Sequence, residues 1–332
     1  MASLSDQLLV ITILAYLAAM LCYAAEYAFG ARGVVARAAQ RELAPVGGSS
    51  GGAASVDDRG GAAASVDDLG DEVPAEGPGG SKISERIGTA AVLLTAVGVV
   101  AQIATLVTRA VAAGRVPWGN LYEFLLVLTL VGAISWLVVL RLRPAMRPLG
   151  LLVTSLLVVL LGAAGMVYTQ AGPLVPALNS AWLRIHVTTV ATAGGVLLVG
   201  FVSAVLYLLR EGYESGKAGF PWALAGRAPA ADALERFTFR VHAFAFPLLT
   251  VGIICGAIWA ESAWGRYWGW DPKEIWSFIT WVFYAGYLHA RATPSVRRRV
   301  ATYLALLGWT ALMVNQFIVN YFFTGLHSYA GN

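Results

Sequence analysis

The chain has 332 residues, 58% of them hydrophobic and only 13% charged, with a mean hydropathy of +0.67. Those figures exclude a soluble globular domain and point to an integral membrane protein. The net charge of +4 does not imply a nucleic-acid partner, because the arginines sit in short loops between apolar runs and form no continuous basic face.

Both cysteines, Cys22 and Cys255, lie inside apolar runs, and no C-x-x-C occurs. Thiol–disulfide chemistry is therefore not expected, and both are read as buried packing residues. No C-x-x-C-H occurs either, so the chain has no motif for attaching haem covalently to itself.

Leu4 to Phe29 is the first apolar run. A signal peptide would put basic residues first and a small-residue cleavage site after. Here Asp6 stands at the start, and Glu26, Arg32, Arg37 and Arg41 near or after the end. The run reads as a retained helix that starts outside and ends inside. Residues 31–84 follow as a disordered cytoplasmic linker. Its centre, Ala44 to Ser81, is rich in Gly, Ala, Ser and Asp and nearly repeats A-A-S-V-D-D. Such a segment cannot bury enough apolar surface to fold.

Seven further runs occupy about 85–108, 120–140, 149–169, 181–209, 237–260, 274–291 and 299–323. Crossing the hydrocarbon takes about 20 residues at about 1.5 Å each. The run from Glu274 is marginal. Arg141, Arg143, Arg147, Arg210, Lys217, Arg227, Arg236, Arg240, Arg291, Arg297, Arg298 and Arg299 fall in loops on the side of Arg32. The other side holds only Arg109, Arg115, Arg184, Arg266 and Lys273. The positive-inside rule then gives an even number of spans. The expected fold is an all-α, polytopic helix bundle of about eight transmembrane helices, both termini extracytoplasmic, in the cytoplasmic membrane. Residues 85–332 would form its main domain.

Three outer helix starts carry capping signals. Asp271-Pro272-Lys273-Glu274 places an acidic N-cap, Pro at the first helical position and Glu at the third. Asn120 to Glu123 repeats the cap-and-acid pattern, and Asn179-Ser180 precedes the helix containing His186.

Six of the 11 tryptophans crowd into Trp259 to Arg291: Trp259, Trp264, Trp268, Trp270, Trp276 and Trp281. An aromatic belt would spread them over many helix ends on both faces. Crowding into one loop argues for a flat apolar ligand. Of the four histidines, His186 lies about 9 Å inside an outer helix start, and His327 follows Gly325 at the outer surface. A helix-packing hydrogen bond is the alternative for each taken alone. Two imidazoles on one side with a tryptophan platform suit the two axial positions of a haem iron.

The W-G-x-Y-W-x-W-D-P-K-E-x-W core, followed by L-H-A-R, resembles the WWD signature of haem-handling membrane proteins. The family it resembles is the CcsA/ResC type of System II cytochrome c biogenesis, named CcsB in actinobacteria. The resemblance covers Trp118 to the C-terminus. It implies that His186 and His327 are the external axial ligands and that His289 is a transmembrane haem ligand with its opposing ligand on a partner. It implies a pocket that includes Trp118, Trp264, Trp268, Trp270, Asp271 and Trp276, with haem b as ligand and substrate. It further implies a haem lyase complex with a CcsB/ResB-type membrane subunit and apocytochrome c as client. Trp118, Asn120 and Glu123 either line the outer pocket or simply cap and anchor a helix. Arg266 or Lys273 is the candidate for pairing with haem carboxylates. His242 is read as a packing residue. Two rivals stand: a b-type electron-transfer cytochrome, and a haem transporter without synthase activity.

Overall fold

The computed structural model describes residues 1–30, 78–173 and 178–327, and of 78–82 the backbone only. Most of the stretch read as a linker, residues 31–77, lies outside the described residues. The described helices are α1 (Ala2–Phe29), α2 (Pro78–Ala113), α3 (Leu121–Leu142), α4 (Gly150–Met166), α5 (Ala181–Glu214), α6 (Ala231–Trp264), α7 (Pro272–Ala292) and α8 (Arg298–Met313). A 3₁₀ turn, Pro144–Leu149, leads into α4. Beyond α8 the chain runs through a π turn, Val314–Ile318, into a last helical turn, Val319–Phe322. No strand occurs among the described residues, so the fold is all-α, as read from the sequence.

Seven helices among the described residues are long and apolar enough to cross a membrane, α4 and α8 when counted with the turns beside them as Pro144–Met166 and Arg298–Phe322. The remaining one, α7, has 21 residues, or about 31 Å at the usual rise, close to the hydrocarbon thickness. It carries Lys273 and Glu274 at one end and Arg291 at the other, which separates it from the seven by composition. The reading of about eight spans counts α7 as one. α2 begins at Pro78, ahead of the apolar run read from residue 85.

In lipid there is little hydrophobic drive between helices, so association rests on close packing and interhelical hydrogen bonds. Both are visible. A Cβ on Gly195 would stand 2.7 Å from Leu128 O, and one on Gly252 2.6 Å from Val190 Cγ2. These glycines let α5 approach α3 on one side and α6 on the other. Tyr16 Oη of α1 donates to Gln102 Oε1 of α2 at 2.8 Å. Gln102 Nε2 in turn donates to Leu126 O and Thr129 Oγ1 of α3. The core is Leu-rich, with Leu125, Leu126, Leu157, Leu161, Leu197 and Trp136 fully buried. Leu14, Leu93, Val100, Val138, Val159 and Ile254 face outward, an apolar exterior that suits a bilayer. The protein is a multi-pass membrane protein.

The loops read as basic and inside meet at one end of the bundle. Glu26 pairs with Arg147, Arg227 donates to Glu26 O and Tyr27 O, and Glu235 takes both Arg291 and Arg298. The capped helix starts of α3 and α7 meet at the other end, where the site lies.

Candidate functional site

α7 starts as its sequence predicts. The Asp271 side chain accepts from Lys273 N–H, Pro272 is the first helical residue, and Glu274 Oε2 accepts from Asp271 N–H at 3.0 Å, completing a capping box. The same Glu274 oxygen accepts from Gly269 N–H at 2.8 Å. The tryptophan loop is thereby folded back onto the helix it precedes. Trp270 sits in the left-handed region at φ 59°, a strained position for a bulky residue that the two flanking hydrogen bonds hold.

Asp271 does more than cap. Its Oδ1 also accepts from His327 Nδ1 at 3.0 Å, and its Oδ2 from Leu326 N–H at 2.7 Å. The segment after the last helix is thus clamped to the loop before α7, although 56 residues separate the partners. Gly325 passes so close that a Cβ there would lie 2.4 Å from Asp271 Oδ2. Burial raises the Asp271 carboxyl, but the hydrogen bonds from His327 and the Leu326 and Lys273 amides bring it net below its ordinary 3.8. It is therefore ionised at neutral pH.

His186, on α5, is held differently. Its Nδ1 lies 2.7 Å from Gly252 O on α6. Gly256, one turn further along α6, makes room for the ring, because a Cβ there would be 2.6 Å from His186 Nδ1 and Cε1. Both histidines thus use Nδ1 against an oxygen that can only accept. Each Nδ1 must carry the proton, and in the neutral imidazole Nε2 then has the lone pair a metal ligand requires.

His186 and His327 line one cleft, together with Trp118, Asn120, Trp259, Trp268 and Lys273. The two imidazoles line the same space, one from α5 and one from the segment after the last helix, and lie at the same end of the bundle. Trp264 stands edge-on to the His327 ring at 4.8 Å, and Trp259 at 5.9 Å. Leu183, Val187, Val190, Leu249 and Ile253 make the deep wall apolar. Aromatic and aliphatic walls with two imidazoles are the chemistry of a site for a flat apolar ligand that carries a metal.

Among the other expected site residues, Trp118 and Trp268 are in the cleft wall. Trp270 is 64% exposed and packs edge-on against Trp268 and Phe278 outside it. Trp276 is half-buried on α7, also outside the wall. Arg266 is exposed, with its guanidinium against Gly269. Asn120 both caps α3, accepting from Glu123 N–H at 2.9 Å, and lines the cleft. Glu123 does not line it. Fully buried, it takes Arg109 Nε at 2.8 Å, Arg115 Nη1 at 2.8 Å and Gly119 N–H at 2.7 Å. Arg109 and Arg115 also donate to Thr169 O and Gly172 O. This cluster fixes the Trp118 loop from behind.

The sequence model of a family described as "Cytochrome C assembly protein" matches residues 118–327. That interval begins at Trp118 and ends at His327, so it contains the whole cleft. The chain belongs to the cytochrome c assembly protein family. A cytochrome c biogenesis protein CcsA from Guillardia theta is 37% identical over 239 residues, covering 67% of this chain and 79% of its own length. CcsA from Porphyra purpurea is 30% identical over 289 residues, 72% of this chain and 86% of its own. CcsA from Gloeobacter violaceus is 36% identical over 205 residues, 48% and 61% respectively. The protein acts in cytochrome c biogenesis, and the family implies haem handling.

The remaining two histidines of this family member lie apart from the cleft. His289 is exposed on α7, about 24 Å along the helix from Lys273 at the usual rise. His242 is 1% exposed, its Nδ1 2.8 Å from Thr238 O and its ring against Tyr284 and Tyr287. That is a packing environment, as read from the sequence.

Two features escaped sequence reading. Gly252 and Gly256 seat His186, and a Gly-x-x-x-Gly spacing within an apolar run is the signal that could have found them. The π turn brings Asn315, Gln316 and Asn320 to the cleft wall. Three amide side chains within an apolar run were the visible sign.

Proposed function

We propose that the cleft holds haem b at the extracytoplasmic end of the bundle, its iron between His186 and His327, and presents it for attachment to apocytochrome c. The observation that carries this reading is the matched Nδ1 anchoring of two imidazoles that line one cleft. Each sets its Nδ1 against a fixed oxygen, and both rings line one aromatic-walled cleft. The two orienting oxygens differ, a neutral carbonyl for His186 and a carboxylate for His327, which makes His327 the more electron-rich donor.

The chemistry asked of the chain is positioning. Each cysteine thiol of the client adds across a haem vinyl group. A carbon–sulfur bond forms, the vinyl double bond becomes single, and the thiol hydrogen ends on carbon. No oxidant is needed, and no side chain of the cleft has to act as nucleophile. Holding the macrocycle rigid with its iron ligated supplies the orientation that such a bimolecular addition otherwise lacks.

His289 serves as ligand to a second haem nearer the cytoplasmic end. Its exposure on α7 supports a partner that supplies the opposing ligand, a membrane subunit of the CcsB/ResB type. Haem then passes from that inner position to the cleft. Both termini would lie outside the cytoplasmic membrane, with the tryptophan loop facing outward and the stretch read as a cytoplasmic linker ending where α2 begins at Pro78.

The test is purification of the chain with its partner and comparison of haem spectra and cytochrome c maturation for His186→Ala, His327→Ala and His289→Ala. The first two are expected to lose the six-coordinate cleft spectrum and maturation. His289→Ala is expected to lose the other haem and keep a cleft able to bind added haem. Unchanged spectra and normal maturation in all three reject the reading. Stable haem with no dependence of c-type cytochromes on the gene would favour a b-type electron carrier.

A further inference from the structure

The cleft has a second, polar wall opposite in character to the aliphatic one. Lys273, Ser277, Asn315, Gln316 and Asn320 line it. The wall exists because of the π turn Val314–Ile318, which shifts the register of the last helix and turns amides inward. π turns of this kind concentrate at functional sites. Asn315 Nδ2 donates to Ser277 Oγ at 3.0 Å and to Lys273 O at 3.3 Å, locking the turn onto the first turns of α7.

The charge of this wall has no ion-pair partner among the described residues. The ion pairs described at this end of the molecule are Arg109–Glu123, Arg115–Glu123 and His327–Asp271, and Lys273 belongs to none of them. The two nearby carboxylates are committed. Asp271 accepts from His327, Leu326 and Lys273 N–H, and Glu274 from Gly269 and Asp271 N–H. Asn315 is 5% exposed, and its Oδ1, like that of Asn320, is a buried acceptor without a donor. An ammonium has three N–H donors and no acceptor. The wall therefore offers one cation and lacks an anion, and the two spare amide oxygens, being acceptors, can take N–H bonds from that ammonium but none from a carboxylate. A half-buried ammonium facing an apolar space is costly unless paired.

Resting on the reading of the cleft as a haem site, we propose that Lys273, set in the cleft wall beside the π turn, binds a carboxylate of the macrocycle and so sets its orientation. In protoporphyrin the two propionates occupy one edge and the vinyl groups lie away from it. Anchoring the carboxylate edge at Lys273 directs the vinyl-bearing part of the ring elsewhere, so that one residue fixes which carbons meet the client thiols. Arg266, the other cation considered, lies outside the cleft and cannot do this. Lys273 is thus a specificity and positioning residue.

The experiment compares ferric haem with its dimethyl ester, in which both carboxylates are blocked, by absorption titration of the full-length protein with its partner. Wild type is expected to bind haem about tenfold or more tightly than the diester, the usual worth of one charge-assisted hydrogen bond. Lys273→Met should bring haem down to the diester level and leave diester affinity unchanged, while Lys273→Arg should keep most of the preference. Equal affinity of wild type for haem and diester overturns the proposal without any variant, so a misfolded Lys273→Met does not obstruct the test. Equal weakening of both ligands by Lys273→Met overturns it as well, and marks Lys273 as structural. If His186→Ala and His327→Ala leave the spectra of both ligands unchanged, the cleft is not the haem site, and the proposal falls with that reading.

Discussion

Replacing Asp271 by alanine should release His327 without touching it. The carboxylate makes three hydrogen bonds in a nearly closed position, to Lys273 N–H at 3.2 Å, Leu326 N–H at 2.7 Å and His327 Nδ1 at 3.0 Å. Loss of the cap alone costs about 1 kcal/mol of helix stability. The other two bonds have a charged acceptor, for which about 1.5–3 kcal/mol each is usual. They hold a short terminal segment at the mouth of the cleft, where freed donors can turn to water, so the full sum is not expected. A net loss of about 2–3 kcal/mol in holding His327 corresponds to roughly 30–150-fold weaker haem binding. Asp271→Asn keeps the cap oxygen but sets an NH₂ against one of two donors, and should fall between the variants at about tenfold. The assay is haem titration of purified protein by absorption, in which detachment of His327 converts a six-coordinate spectrum to a five-coordinate one. Added imidazole should restore the six-coordinate spectrum in Asp271→Ala, because the His186 side is intact. Wild-type affinity and spectrum in Asp271→Ala, alongside loss of both in His327→Ala, would show that the clamp does not position the imidazole.

Three further outcomes are expected. Gly256→Val places carbon within 2.6 Å of the His186 ring, so it should abolish the His186-dependent spectrum about as fully as His186→Ala, with the protein still recovered from membranes. Glu123→Ala leaves Arg109, at 1% exposure, without its carboxylate. The cost is about 3–5 kcal/mol for a broken buried pair, to be read as a clear drop in Tm in detergent with displacement of the Trp118 wall. His242→Phe removes one hydrogen bond to Thr238 O and one buried nitrogen without a partner. It should change Tm by only about 1 kcal/mol equivalent and leave all haem spectra as in wild type; a lost haem signal would contradict the packing role.

Local chemistry was legible where a short stretch decides it. The capping box of α7 follows from Asp271, Pro272 and Glu274 within four residues, and the Asn120 cap from three. His186 and His327 were placed on one side by counting charges across loops, which needs no contact information. The Ser180 start lacks a side-chain cap bond, because other groups at a helix end can satisfy the same amides. Trp118, Trp268, Trp270 and Trp276 were indistinguishable along the chain. Only two of them reach the cleft; Trp276 lies on α7, and the left-handed backbone at Trp270 breaks the extended run in which it would share a face with Trp268.

By itself the sequence determined that the chain is a membrane-embedded helical bundle, how its helix ends sort by charge, and that a tryptophan-rich loop and two histidines share one end. Hydropathy, charge bias and capping are local quantities, so they survive without coordinates. The tertiary structure alone decided that Asp271 grips His327 from 56 residues away and that Gly252 and Gly256 seat His186. It alone decided that a π turn puts amides beside Lys273. Each depends on the approach of helices remote in sequence, which is set by the packing of the whole bundle.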